Sequence, residues 1–419
     1  MKNIICYFFV LFTFVSFSQK QYNSILIENG FLHVGNGQTI EKSLVGIKNG
    51  KIVLVKNALA YTYSVSDWDT IINAKGQYIY PAFVAPNSTL GLTEIDEVRA
   101  TNDFREVGVY NPHIRSQIAY NIESNVVATA KTNGVLLVQA TPRGGIISGT
   151  SSVMYTEGWN WEDATAKVDD GIHLNWPSFL ENRGKKNEMY TEQKREIYRF
   201  FESAKAYQSD KIESVDLRFE SMKNCFQGTK RVYIHANHLQ QILDIIDFSK
   251  KVGILFPVII GGYDSYLATQ KLKDAGIPVM LIRPHSLPEN ENDPIDLPYK
   301  LPYLLQAGGV KFCIQNQGDL ETSNVRNIPF LAGTAMSYGL TEEQAIQAVS
   351  LNSCEIMGIA NQYGSVEEGK NATFFISAGN ALDMRTNDIV LAFVNGQFVA
   401  LTNSQMELYK KYKERYKNK

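Results

Sequence analysis

RVYIHANHLQQILDIIDFSKKVGILFPVII, residues 231–260, decides the fold. A short apolar strand, Arg231 to His235, is followed by a helical segment, Leu239 to Lys251, and then by a second apolar strand, Phe256 to Ile260. Strand, helix and strand in this order form a parallel unit, because two parallel neighbours need a crossover of a dozen residues or more. The unit repeats outward. A helix over Ser265 to Ala275 leads to PVMLI (278–282), VKFCI follows at 310–314, and GVLLVQA stands upstream at 134–140. From Pro81 to about Ile359 the pattern is therefore α/β with a parallel sheet, either doubly wound or closed into a barrel.

On both sides of this core the period changes to that of strands. SILIENGFLHVGNG (24–37), SLVGIKNGKIVLV (43–55) and DTIINAKGQYIYP (69–81) precede it, with Asn29-Gly30 and Asn49-Gly50 read as hairpin turns. YGSVEEGKNATFFIS (363–377) and DIVLAFVNGQFVAL (388–401) follow it, so the two ends are expected to pair beside the core. The expected segments are 19–80 and 360–402 for this β domain, 81–359 for the core and 403–419 for a charged C-terminal helix. Residues 1–18 read as a secretory signal. Lys2 precedes an apolar run from Ile4 to Phe17, and Ser16 and Ser18 are the small residues before a cleavage site ahead of Gln19. The run is too short to cross about 30 Å of hydrocarbon as a straight helix. The expectation is an exported protein, periplasmic or extracellular, with no membrane span after cleavage.

With 41 basic and 43 acidic residues the chain has no charge excess that would attract nucleic acid, so the expected partner is a small molecule or short peptide. Past the signal there are three cysteines, Cys225, Cys313 and Cys354, without CxxC spacing. They read as buried apolar residues rather than a disulfide or zinc framework.

The frame IKNGKIV (47–53) with IINAKGQYIYPAFV (71–84), and AVSLNSCEIMGI (348–359) with YGSVEEGKNATFFI (363–376), resembles the amidohydrolase superfamily, in particular its imidazolonepropionase-like and prolidase-like branches. The resemblance spans nearly all of the chain after the signal. It implies a (β/α)8 TIM-type barrel with a small β-sandwich domain built from both ends of the chain. It also implies a hydrolase of C–N bonds that uses one or two divalent metals, zinc foremost, to activate water and polarise an amide. Fold alone does not establish that chemistry.

The family's first-strand histidine motif should follow Pro81, where this chain has Asn87, Ser88 and Thr89 in place of a His-x-His pattern. Amide and hydroxyl oxygens are poor ligands for zinc. In VKFCIQNQGD the resemblance puts Gln317 where a final-strand Asp would stand, with Asp319 two residues on as the carboxylate a register shift would bring there. His235 matches the histidine at the end of strand five. Gly261 and Gly262 stand where the next strand would supply another, and His173 lies near the end of strand four. The candidate metal ligands are thus His235 and His173, and the candidate catalytic groups His235, His285 and Asp319.

Polar residues at strand ends fill out the candidate site, since barrel active sites are built at that face. Arg143, Gly144 and Gly145, in TPRGGIISGTSS (141–152), read as a glycine loop whose arginine would clamp an anionic group, and Arg283 joins them as a substrate-binding candidate. EIDEVRATNDFREVGVYN (94–111) reads as a solvated loop or lid. Three functions remain open from the sequence: a metal-dependent amidohydrolase, a catalytically silent barrel that binds a small molecule or peptide, and a partner subunit of an active paralogue or of a homo-oligomer.

Overall fold

A computed structural model describes residues 23–181, 184–207 and 214–417. The expected signal, residues 1–18, lies outside the described residues. The chain opens with β1 (Ser24–His33), β2 (Thr39–Lys48), β3 (Lys51–Asn57), β4 (Thr70–Asn73) and β5 (Tyr78–Pro81). The turn between β2 and β3 is made by Asn49 and Gly50, both at positive φ (48° and 78°), as a two-residue hairpin of this kind requires. Asn29-Gly30 does something else. It lies inside β1, where the pairing with β2 shifts register, because a Cβ at Gly30 would stand 2.5 Å from the Ile79 side chain. The pair makes an irregularity that lets β5 approach, not a hairpin.

The core follows as β6 (Phe83–Ser88), α1 (Asn125–Lys131), β7 (Val135–Ala140), β8 (Ile147–Tyr155), β9 (Thr165–Asn175), α2 (Tyr190–Ala206), α3 (Leu217–Gln227), β10 (Arg231–Ala236), α4 (Leu239–Val252), β11 (Pro257–Gly261), α5 (Thr269–Ala275), β12 (Val279–Leu281), α6 (Leu297–Ala307) and β13 (Phe312–Ile314). Helices α7 (Glu321–Asn324), α8 (Ile328–Ser337), α9 (Glu342–Ala348) and α10 (Leu351–Met357) come next. The chain then returns to the first sheet through β14 (Phe374–Ser377), β15 (Ile389–Val394) and β16 (Gln397–Phe398), and ends in α11 (Ser404–Lys417).

Two eight-stranded sheets result. The first runs β16-β15-β14-β5-β1-β2-β3 with β4 also on β1, and β14 pairs antiparallel with β5, so both ends of the chain share one sheet. The second runs β6 to β13 in sequence order as a nearly closed barrel. It is not wholly parallel. Strand β8 is antiparallel to both β7 and β9. Residues 141–146 and 156–164 are too short to cross over a sheet, so the chain can only turn back. The stretch read as a glycine loop therefore becomes strand from Ile147 onward.

The helices between the barrel strands bury one side each, whereas α11 buries none of its residues. In α4, Ile242, Ile245, Phe248 and Val252 are buried at helical spacing, each contributing about 1.5–3 kcal/mol by leaving water. His238 caps its N-terminus through a reciprocal pair with Gln241, and Gly253 ends it at φ 84°. Strands β6 and β7 are buried throughout, and all three expected cysteines are buried and unbridged. Among the described residues no helix is long and apolar enough to cross a membrane.

Candidate functional site

The carboxyl ends of the barrel strands converge on a polar network centred on Asn87. Its backbone is at φ 50°, which an asparagine tolerates better than most side chains. Every polar group it offers there is engaged. Its N–H donates to Gln139 (2.9 Å), its side-chain amide donates to Gln317 (2.9 Å), and the Arg143 guanidinium donates to both its side-chain and main-chain oxygens (2.8 Å each). Arg143 also donates to Glu321 (2.8 Å), which accepts in addition from the N–H of Thr89 (2.8 Å). The Arg143 and Glu321 side chains are 16% and 11% exposed, so this is an ion pair taken largely out of water. Below it Gln139 donates to Asp170 (2.7 Å), which also accepts from Lys167 (2.7 Å) and from the Tyr233 hydroxyl. A buried carboxylate with three donors is satisfied.

Beside this network lie the two candidate metal histidines. The parallel pairing of β9 with β10 sets His173 opposite Tyr233, whose ring stacks on it at 4.8 Å. His173 Nδ1 is 3.2 Å from His235 Nε2, and His173 Nε2 is buried without a hydrogen-bond partner in the protein. Burial, then His235 and Arg143, push His173 well below the usual histidine range. Burial and then Arg143 push His235 down to about 3, so both rings are neutral at pH 7.

His235 also lines a cavity of about 670 Å³ at the barrel mouth. Its lining includes Trp176 and Phe179 together with Asn237, Asp264 and Glu289. Among the described residues the lining carries three carboxylates, Glu181, Asp264 and Glu289, and neither lysine nor arginine. Burial, followed by the charges of Asp264 and Asp293, raises Glu289 to about 7, and burial raises Asp264. Asn237 donates to Glu289 (2.8 Å), while its own side-chain oxygen is buried and unpaired. Gly261, at φ 96°, makes room for it, since a Cβ there would stand 2.3 Å from that oxygen.

The remaining sequence candidates are spread out. Gly144 and Gly145 form a turn beneath the 94–111 segment: a Cβ on Gly144 would meet Arg105, and one on Gly145 the Val109 carbonyl. Arg143 is held inside the network by Glu321 and is not poised over the cavity. Arg283 donates to the main-chain oxygen of Asp319 (3.1 Å), and the Asp319 side chain is exposed. His285 is exposed and bonds Thr334 (2.6 Å). None of Arg283, His285 and Asp319 lines the cavity, whereas Gln317 does. Sequence reasoning passed over Glu321, Gln139, Asp170, Asn237, Asp264 and Glu289. Asn237, directly after β10, and Asp264, just past β11, stood where a strand-end search would have caught them.

A barrel with its polar groups gathered at the strand ends, joined to a second sheet built from both chain ends, is an amidohydrolase-type α/β fold. Residues 125–399 match the amidohydrolase family, and the chain belongs to it. The fold is similar to the crystal structure of an amidohydrolase from Thermotoga maritima MSB8, with a TM-score of 0.78 and 22% identity over 90% of this chain and 99% of that one. It is also similar to a prolidase complexed with N-methylphosphonate-L-proline (TM-score 0.55, 13% identity, 90% and 99% covered). An adenosine deaminase from Xanthomonas campestris with bound zinc gives TM-score 0.54 and 13% identity, with 94% and 99% covered. No curated protein sequence matches the chain.

Members of this superfamily typically hold a divalent metal at these strand ends. The donors of this chain do not fit one. Positions 87 and 89 offer an amide and a hydroxyl, both already bonded within the network. Among the described residues no group of three or more His, Cys, Asp or Glu is arranged to hold a metal ion. Two imidazoles fall short of the three protein ligands usual for a catalytic zinc.

Proposed function

We propose that this amidohydrolase-family protein is exported and binds, at its barrel mouth, a small molecule or short peptide that carries a protonated amine. The observation that carries this reading is the cluster of three carboxylates, Glu181, Asp264 and Glu289, in the cavity lining, where the described residues include no lysine or arginine. Like charges crowded at Asp264 and Glu289 are relieved by an ammonium group, and the unpaired oxygen of Asn237 supplies a further acceptor for its N–H. Trp176 and Phe179 give the apolar part of such a ligand a surface to cover. Calorimetry with dipeptides tests the reading. A free N-terminus should bind at least about tenfold more tightly than its N-acetylated form, a difference of about 1.4 kcal/mol, and Glu289→Gln should remove the preference. Equal binding of the two forms sinks it.

A second reading, hydrolysis of a C–N bond in the same ligand, is favoured by one observation. Glu289 at about 7 and neutral His235 line one cavity, so a group able to exchange a proton near neutral pH stands beside the bound amide. Release of amine from dipeptides or cyclic amides, lost in Glu289→Gln, would establish it. In the same reading the barrel is a (β/α)8 variant with one reversed strand, the first sheet curls into a small sandwich, and the protein works as a homo-oligomer or beside a paralogue.

A further inference from the structure

The end strands of the barrel, β6 and β13, have no backbone ladder between them among the described residues. The seam is nevertheless bridged at its carboxyl end. Asn87 at the end of β6 bonds Gln317 just past β13, and Thr89 bonds Glu321 at the start of α7. Arg143, just past β7, reaches both sides, with two hydrogen bonds to Asn87 and one to Glu321. One cation therefore joins three separate segments by donating to oxygens on either side of the seam. This is what a metal ion does when its ligands come from several strands.

We propose that the Arg143 guanidinium serves as the built-in cation of this barrel, tying β6, β7 and the β13–α7 connection across the seam at the strand ends where relatives bind a divalent ion. A guanidinium suits that position because it is always charged, planar and rich in donors. Its presence also sets a like charge against any dication brought to His173 and His235. The inference does not depend on the ligand proposed for the cavity, since neither Arg143 nor Glu321 lines it.

The test uses the full chain after signal removal. Metal content is measured by elemental analysis, and Tm is followed with chelator and with one equivalent of zinc. The variants Arg143→Met and Glu321→Gln are made singly and together, with Arg143→Lys and Glu321→Asp as milder versions should the first two not fold. The wild type should carry well under one equivalent of metal, and its Tm should not respond to chelator or zinc. Each single variant should lose on the order of 5 °C. The double variant should lose no more than the worse single one, because the two residues act as a unit. Stoichiometric zinc in the wild type that disappears in His235→Ala overturns the proposal. So does additive loss in the double variant, or an Arg143→Met protein as stable as the wild type.

Discussion

His173 Nδ1 faces His235 Nε2 across 3.2 Å, and burial keeps both rings uncharged in the folded protein at pH 7. In the unfolded chain each takes up a proton near pH 6.5. Below that pH the unfolded state binds more protons than the native state, so the contribution of these rings to stability is full above about 6.5 and is lost as pH falls toward 3. The urea midpoint should therefore decline more steeply between pH 6.5 and 4 in the wild type than in His173→Gln/His235→Gln. Parallel pH profiles for the two proteins would show that the rings are not held neutral.

Glu289 gives the opposite sign. Its carboxyl is raised to about 7, so its contribution to stability is full below the ordinary carboxylate range and is lost as pH rises through 7. Ligand binding moves the other way, since the charged carboxylate attracts an amine. Affinity for a dipeptide should rise by up to about tenfold from pH 6 to pH 8 in the wild type and stay flat in Glu289→Gln. An identical rise in both proteins would remove Glu289 from recognition.

Gly145→Ala tests the turn below the 94–111 segment. The position combines φ 66° with a Cβ that would stand 2.8 Å from the Val109 carbonyl, and backbone at that distance has little room to yield. Gly76→Ala is the control, because it shares the positive φ but meets nothing within 4 Å. The control should lose about 1 kcal/mol, and Gly145→Ala about 2–4 kcal/mol once overpacking is added. Equal losses in urea unfolding would mean that the roof moves freely.

Breaking the Arg143–Glu321 pair from the acidic side leaves a guanidinium without its counter-charge. Glu321→Ala should cost about 3–5 kcal/mol in denaturant unfolding, well above the loss for exposed Arg385→Ala, whose ion pair with Asp383 lies in solvent. A loss under 1 kcal/mol for Glu321→Ala would show that water already reaches the pair.

Burial pushes the thiols of Cys225 and Cys313 up to about 12 and that of Cys354 upward as well. A thiol reagent should therefore find none of the three in the folded protein at pH 8 and all three in denaturant. Fast native reaction at any of them would contradict their packing.

The parallel half of the barrel was legible because its strands are bare apolar runs. Arg231 to His235 became β10, Leu239 to Lys251 became α4, and Phe256 to Ile260 became β11, each within a residue or two. The reversed strand was not legible. ISGTSSVMY has neither a strict alternation nor a bare apolar run, because its buried serines and threonines are satisfied by partners distant in sequence, as Ser151 is by the Gly171 carbonyl and Thr150 by that of Pro112. For the site, the departures at Asn87, Thr89 and Gln317 were visible in the sequence, but not that Arg143 and Glu321 fill the space between them. The partner of a buried charge is set by three-dimensional approach, and Glu321 lies 178 positions from Arg143.

The pairing of Tyr78–Pro81 with Phe374–Ser377 puts the whole barrel between two strands of one sheet. During translation, at about 5–20 residues per second, β5 leaves the ribosome tens of seconds before β14 exists. Until then an apolar edge stands open, of the kind that captures strands from other chains. The first sheet thus cannot finish folding until the whole barrel has been made, and a nascent chain stopped short of residue 374 carries that sticky edge permanently.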